Sequence, residues 1–323
     1  MTNDLPDTLI EAVRYFSDLA ACERYMRKIK WPAGDVTCPH CGATGDRIGE
    51  VATRNVLRCK DCRKMIYSKQ GTIFVDSPLG LDKWFVAVWV IANDKNGISS
   101  YELSRALGVS QKSAWFMLHR IRKAMETDSF QKFGGPAEAD TTYIGGKAAN
   151  MHKGRRERTI KGRGAVGKAA VHGVLQRTTE AGPSQVSATV VNGEDANALL
   201  GEVRGKVRYG AKVFTDEAQA YGALSLTHIH AAIDHSIRYV LGEVHTNGME
   251  NFWSLLKRTI DGTYVAVAPF HLTRYVAEQV FRFNERAGSD RTRFQELMSR
   301  IVGRRLTWRQ LCAVDDAGFM GLE

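Results

Sequence analysis

Gly135-Pro-Ala-Glu-Ala-Asp-Thr-Thr-Tyr-Ile-Gly-Gly146 is the stretch on which the fold turns. It reads as a short β-strand closed by a glycine pair. Strand side chains alternate between faces, so Glu138, Asp140 and Thr142 share one face and Ala139, Thr141 and Tyr143 the other. Burying a carboxylate is costly unless it is paired or binds a cation. Two readings compete. Either Asp140 ligates a divalent metal on a buried strand, or the strand is a solvated edge whose acids face water.

The surroundings weigh on that choice. Ala169–Gln176 and Gln185–Asn192 read as further strands, and Asp195–Arg204 has helical spacing. Ala211–Asp216 is another strand that ends in an acid, followed at once by a helix start at Glu217. Gly242–Asp261 carries His245-Thr-Asn-Gly-Met-Glu250 into a helix with Phe252, Leu255 and Leu256 inward. Glu250 and Lys257, two turns apart, share a face at about 10 Å. Taken alone, Glu250 is also an ordinary acid near a helix start, and Lys257 an exposed helix-face lysine. Pro269–Arg286 is another strong helix. The tail from Arg291 has a helix to Val302 and then a small apolar cluster of Trp308, Leu311 and Cys312.

Upstream, Cys38-Pro-His-Cys41 and Cys59-Lys-Asp-Cys62 are separated by seventeen residues, a spacing that suits one structural zinc ion held by four thiolates. Cys22 reads as a small buried residue of a helix over Leu9–Arg27. Trp84, Phe85 and Trp89 read as core. Ile98–Met125 forms a helix-turn-helix pattern. Ser99 and Glu102 make a capping box, Gly108 the turn, and Ser110 the next cap. Gln111, Lys112 and Ser113 open the second helix, where base contacts fall. His119, Arg120, Arg122 and Lys123 follow as a basic tail suited to phosphates. Its bland alternative is an ordinary helical hairpin. Lys147–Lys168 is a basic loop, with Arg155, Arg156, Arg158 and Lys161 placed to hold phosphates without sequence preference.

The whole chain of 323 residues has a formal net charge of +10, which favours a polyanionic partner, double-stranded DNA above all. No apolar run approaches the roughly 20 residues of a membrane span. The polar N-terminus is unlike a secretory signal, which sets the expectation of a cytoplasmic protein with reduced cysteines.

In order, the zinc ribbon, the helix-turn-helix, the Asp140 strand, Phe214-Thr-Asp216 and Asn247-Gly-Met-Glu-Asn-Phe-Trp-Ser-Leu-Leu-Lys-Arg258 resemble the DDE-type insertion-sequence transposases. So do Gly262-Thr-Tyr264 and Phe281-Arg-Phe-Asn-Glu-Arg286. The resemblance runs from about Cys38 to Arg286. It implies an α/β fold with a ribonuclease-H-like mixed sheet and flanking helices, preceded by a zinc ribbon and a helix-turn-helix domain. The matching domain plan is an N-terminal helix over 1–30, the ribbon over 31–76, the helix-turn-helix over 77–127, the catalytic domain over 134–288 and a helical tail over 289–323. Asp140, Asp216 and Glu250 match the family's three metal-binding acids and Lys257 its basic residue two turns later. Asn247 stays a rival for the third ligand. The implied activity is cleavage of the element's ends and strand transfer with two Mg2+ ions, by a protein that self-associates on DNA. The sequence departs from the family at Thr141, often Glu, and at Val265, often His. Two other functions remain open: a non-catalytic zinc-ribbon DNA-binding regulator, and a ribonuclease-H-like nuclease or resolvase that cuts without joining.

Overall fold

The computed structural model describes residues 5–51, 56–127, 131–145, 168–180, 182–191, 196–216, 221–232 and 244–312. The chain divides into two compact units, one made of Met1–Met125 with Gly288–Glu323, the other of Glu126–Ala287.

The first unit opens with α1 (Leu9–Phe16) and α2 (Leu19–Lys30). The sequence predicts one helix here. The structure breaks it because Asp18 turns out of helical geometry and its side chain accepts a hydrogen bond from the Ala20 N–H, capping α2. The ribbon follows as an antiparallel sheet of β1 (Ile48–Val51), β2 (Val56–Cys59) and β3 (Met65–Ile66). Next come α3 (Leu81–Asn93), α4 (Ser100–Leu107) and α5 (Gln111–Met125). Ser99 and Glu102 form the expected capping box, and Gly108 takes the left-handed conformation at φ +60° that ends α4. The core is aromatic. Phe16 meets Phe85 edge-on at 5.2 Å between ring centroids, and Phe294, from the far end of the chain, meets Phe16 at 5.1 Å and Trp89 at 5.4 Å. Cys22 is buried beside them, and burial pushes its thiol up to about 12, so it behaves as an apolar filler.

The second unit is a five-stranded mixed sheet. Its strands are β4 (Ala137–Ile144), β5 (Ala169–Gln176), β6 (Gln185–Val191), β7 (Lys212–Thr215) and β8 (Ile229–Ala232), in the order β6-β5-β4-β7-β8. β5 runs antiparallel to both β4 and β6, whereas β7 lies parallel to β4 and β8 parallel to β7. β4 is therefore central, and the solvated-edge reading fails. Helix α6 (Ala196–Lys206) covers one face through Leu199, Leu200 and Val203 against Ala137, Ala139 and Val174. Helices α7 (Asn247–Arg258) and α8 (Pro269–Asn284) cover the other through Met249, Phe252, Trp253 and Val280 against Val171, Leu175 and Val186. After α7 the chain runs through a π-helical turn, Thr259–Tyr264, to Val265 at φ +63°. Back in the first unit, α9 (Asp290–Ser299) carries Phe294, and the short α10 (Trp308–Leu311) follows.

Candidate active site and metal centre

Each cysteine pair in the ribbon closes a tight loop. Gly42 follows the first at φ +76° and donates its N–H to the Cys38 carbonyl at 2.9 Å. Arg63 follows the second at φ +60°, an unusual conformation for a side chain with a Cβ. The four sulfur atoms of Cys38, Cys41, Cys59 and Cys62 lie within 4.8 Å of one another. Cys38 and Cys62 are 3.6 Å apart at sulfur, and Cys41 and Cys59 are 3.5 Å apart. Those separations are far too long for disulfides. They are close to the roughly 3.8 Å edge of a tetrahedron of thiolates about a zinc ion. The donor set and spacing fit one structural Zn2+.

The acids on β4 reach the opposite face of the sheet from α6. Ala137 pairs with Val213 and Ala139 with Thr215, so Asp216, just past β7, comes level with Asp140. Neighbouring strands are about 4.8 Å apart, and the two carboxyls point to the same face. Asp216 stands near enough for its charge to act on Asp140. Burial first, and the like charge of Asp216 second, push the Asp140 carboxyl up to about 7, although the Thr141 N–H and the Trp253 indole both hold it down. The Thr141 N–H donates to Asp140 Oδ1 at 2.7 Å and Trp253 Nε1 donates to Oδ2 at 2.8 Å.

Trp253 ties the helix to the strand. Three residues earlier, Glu250 lies about 60° round α7 from it, and Lys257 about 40° round on the same side. Asn247 lies about 120° away. Glu250, Asn247 and Lys257 are all exposed. Among the described residues, the cysteine quartet alone gathers three or more metal-ligating groups within 4.8 Å, so the Glu250 carboxylate is not drawn into so tight a group with Asp140 and Asp216. The two inner acids are thus neighbours on adjacent strands and the third stands on the adjoining flank of the helix.

The sequence reading missed the side chains that support these acids. Glu138 is 1 % exposed and is bonded to Arg177 and to the Met249 N–H. Gly173, directly opposite Asp140 across the β4–β5 pair, leaves room for α7: a Cβ there would meet the Met249 methyl at 2.4 Å and the Trp253 ring at 2.8 Å. A glycine in the interior of the strand Ala169–Gln176 was the available signal for that close approach.

At the start of α5, Lys112 is exposed, with its ammonium 4.6 Å from the centre of the Trp308 ring. Gln111 donates to Ser100 Oγ at 2.8 Å, and Ser110 Oγ accepts from the Ser113 N–H. Arg120 corrects an expectation. It is 4 % exposed and donates to the carbonyls of Val75 and Leu306 at 2.7 and 3.1 Å, so it braces the first unit rather than meeting phosphates. His119 and Arg122 are buried too. Periodicity does not explain this: Leu118, His119, Arg120, Ile121 and Arg122 span more than a full turn and all are buried, so α5 is enclosed on every side over this stretch. Arg155, Arg156, Arg158 and Lys161 lie outside the described residues.

Comparison with known proteins agrees with this arrangement. Residues 132–284 match the ISXO2-like transposase domain, and residues 17–65 match the transposase zinc-ribbon domain. A protein in transposable element ISH50 of Halobacterium salinarum is 28 % identical over 261 residues, spanning 78 % of this chain and 86 % of that one. A transposase-like protein of Haemophilus influenzae is 30 % identical over 101 residues, 31 % of this chain and 81 % of the relative. Among the described residues no helix is long and apolar enough to cross a membrane. Because the ribbon match covers the cysteine quartet and the domain match covers the strands and helix that carry the acids, the chain belongs to the ISXO2-like transposases.

Proposed function

We propose that this transposase cleaves the ends of its element and joins them to target DNA, with Asp140, Asp216 and Glu250 as the metal-binding acids of a ribonuclease-H-like domain. The placing of Asp140 and Asp216 at one level of adjacent strands carries the reading. Two carboxyls at one level of parallel neighbouring strands, one of them pushed up to about 7 by burial and its neighbour, form a site that a hard divalent cation would relieve. The mixed sheet with helices on both faces supports the fold assignment. Magnesium, when bound, supplies the positive charge that stabilises the attacking and leaving oxygens of an in-line displacement.

The protein's part is positioning. Asp140, fixed by Trp253 and the Thr141 N–H, and Asp216 would hold the cation. Glu250 approaches from α7, and its place beside Trp253 favours it over Asn247. Lys257 contacts a phosphate of the bound DNA. Water attacks the end phosphodiester and releases a 3′-hydroxyl, which then attacks a target phosphodiester, so no side chain acts as nucleophile. The α4–Gly108–α5 pair acts as a helix-turn-helix that reads DNA through Lys112 and its neighbours. The zinc ribbon adds to end binding, and two copies work on paired ends.

The test is incubation of the protein with labelled element-end DNA and target plasmid in Mg2+. Joined products are expected, and both Asp140→Asn and Asp216→Asn should abolish them while end binding persists. Nicks without joining would instead mark a nuclease or resolvase, and binding without cleavage a regulator. Intact joining by the Asp140 variant would refute the site.

A further inference from the structure

Helix α7 lacks a side-chain cap of its own. Its N-cap residue, Thr246, makes no capping side-chain hydrogen bond, yet the first N–H groups of a helix need acceptors. Glu138 supplies one from across the fold. Its Oε2 accepts the Met249 N–H at 2.9 Å, at the third helical position, where a local cap ordinarily acts. The acid also favours that helix end electrostatically. Its other oxygen, Oε1, accepts Arg177 Nε at 2.7 Å. Arg177 in turn donates from Nη2 to the His245 carbonyl at 2.7 Å, packs 4.3 Å over the Phe214 ring, and so holds the segment that leads into α7. His245 Nδ1 stands 3.4 Å from Oε1. Gly248 is part of the fit, because a Cβ there would lie 2.8 Å from Glu138 Oε2 and 3.0 Å from Leu175.

The second grip is the Trp253–Asp140 bond. Glu138 and Asp140 are two residues apart on one face of β4, about 6.6 Å. Met249 and Trp253 are four apart on α7, about 6 Å. The spacings match, so two adjacent carboxylates hold two adjacent turns of the helix in one register. A slip of α7 by one residue would break both bonds and turn Glu250 and Lys257 by about 100°.

We propose that Glu138 and Arg177 are positioning residues of the phosphoryl-transfer site, setting the register of α7 on β4 so that Glu250 faces the cation held by Asp140 and Asp216. This rests on the proposed role of Glu250. Neither residue touches DNA or metal. Glu138 acts through the Met249 N–H, and Arg177 through Glu138 and His245.

The test uses Fe2+ as a probe of the intact, full-length protein. With ascorbate and peroxide, iron bound in place of magnesium generates hydroxyl radicals that cut the backbone beside its ligands, and fragment masses map the cuts. The wild type should be cut near Asp140, Asp216 and Glu250. Glu138→Ala should keep the first two cuts and lose the third, and need about tenfold more Fe2+ for half-maximal cutting, as loss of an outer-sphere support does. Glu138→Gln keeps a neutral acceptor for the Met249 N–H while removing the charge beside Arg177. It should restore the cut near Glu250, a rescue that a purely structural role would not give. If Glu138→Ala unfolds, Arg177→Lys decides: it should weaken the Glu250 cut and spare the other two, and an unchanged Glu250 cut in that folded variant would overturn the proposal. Unchanged cutting near Glu250 in a folded Glu138→Ala protein would overturn the proposal. Absence of that cut in the wild type would overturn the role of Glu250 instead.

Discussion

Replacing Asp140 with asparagine should stabilise the metal-free second unit at pH 8 while destroying the site. Raising a carboxyl from its ordinary 3.8 to about 7 corresponds to roughly 4 kcal/mol against the ionised form. Asparagine removes that burden, but it has a single acceptor where the carboxylate uses both oxygens, for the Thr141 N–H and the Trp253 indole. Losing one of those bonds costs about 1–2 kcal/mol, which leaves a net gain of about 2 kcal/mol. The sign follows from linkage. The folded state holds this proton more tightly than the unfolded chain, so its contribution is fully present below about pH 4 and is lost as pH rises towards 7. The variant should therefore match the wild type near pH 5 in EDTA and exceed it at pH 8. Mg2+ should close the gap by stabilising the wild type alone. Hydrogen exchange of β4 and β7 peptides from the full-length protein, read by mass spectrometry, resolves this unit from the other. Equal protection of the two proteins at pH 8 without metal, or an equal Mg2+ response from both, would refute the reasoning.

Trp253→Phe removes the indole donor to Asp140, so the alkaline rise of end cleavage should move to higher pH, and an unmoved profile would deny that bond its role. Gly173→Ala should destabilise the second unit by about 2 kcal/mol or more, since the added methyl meets Met249 and Trp253; urea unfolding reads it. Cys59→Ser should cut zinc content by metal analysis and unfold the ribbon. Arg63→Gly should stabilise the ribbon by about 1 kcal/mol, because the left-handed conformation at φ +60° costs glycine little. Lys112→Ala should lower the salt slope of DNA binding by about 1, whereas Arg120→Met should destabilise the first unit and leave that slope unchanged.

The parts of this molecule that depend on local chemistry could be read directly from its residues. The cysteine spacing foretold the sulfur quartet, the Ser99–Glu102 pair the start of α4, and Ala169–Gln176 is a strand with those bounds. The second unit's polar contacts depend on which elements lie side by side, and no local pattern carries that. Glu138 looked like one more acid on a strand, and its worth comes from α7 beginning opposite it. Arg177 follows the end of β5, where nothing local marks it. Arg120, Arg122 and His119 misled for the same reason: charge and helical period both set them off the face of Leu118 and Ile121, whereas α5 is enclosed all round there and Arg120 meets the carbonyls of Val75 and Leu306. The single break between α1 and α2 turned on Asp18, a cap residue within an otherwise continuous apolar pattern.

The first unit takes its closing piece from the end of the chain, because Phe294 completes a cluster with Phe16, Phe85 and Trp89. Translation at about 5–20 residues per second makes everything from Glu126 to Ala287 before that ring leaves the ribosome. A nascent polypeptide stopped before Phe294 would carry an unfinished aromatic nest. The cell thereby receives the ribbon-bearing half in finished form only with its partner half already made.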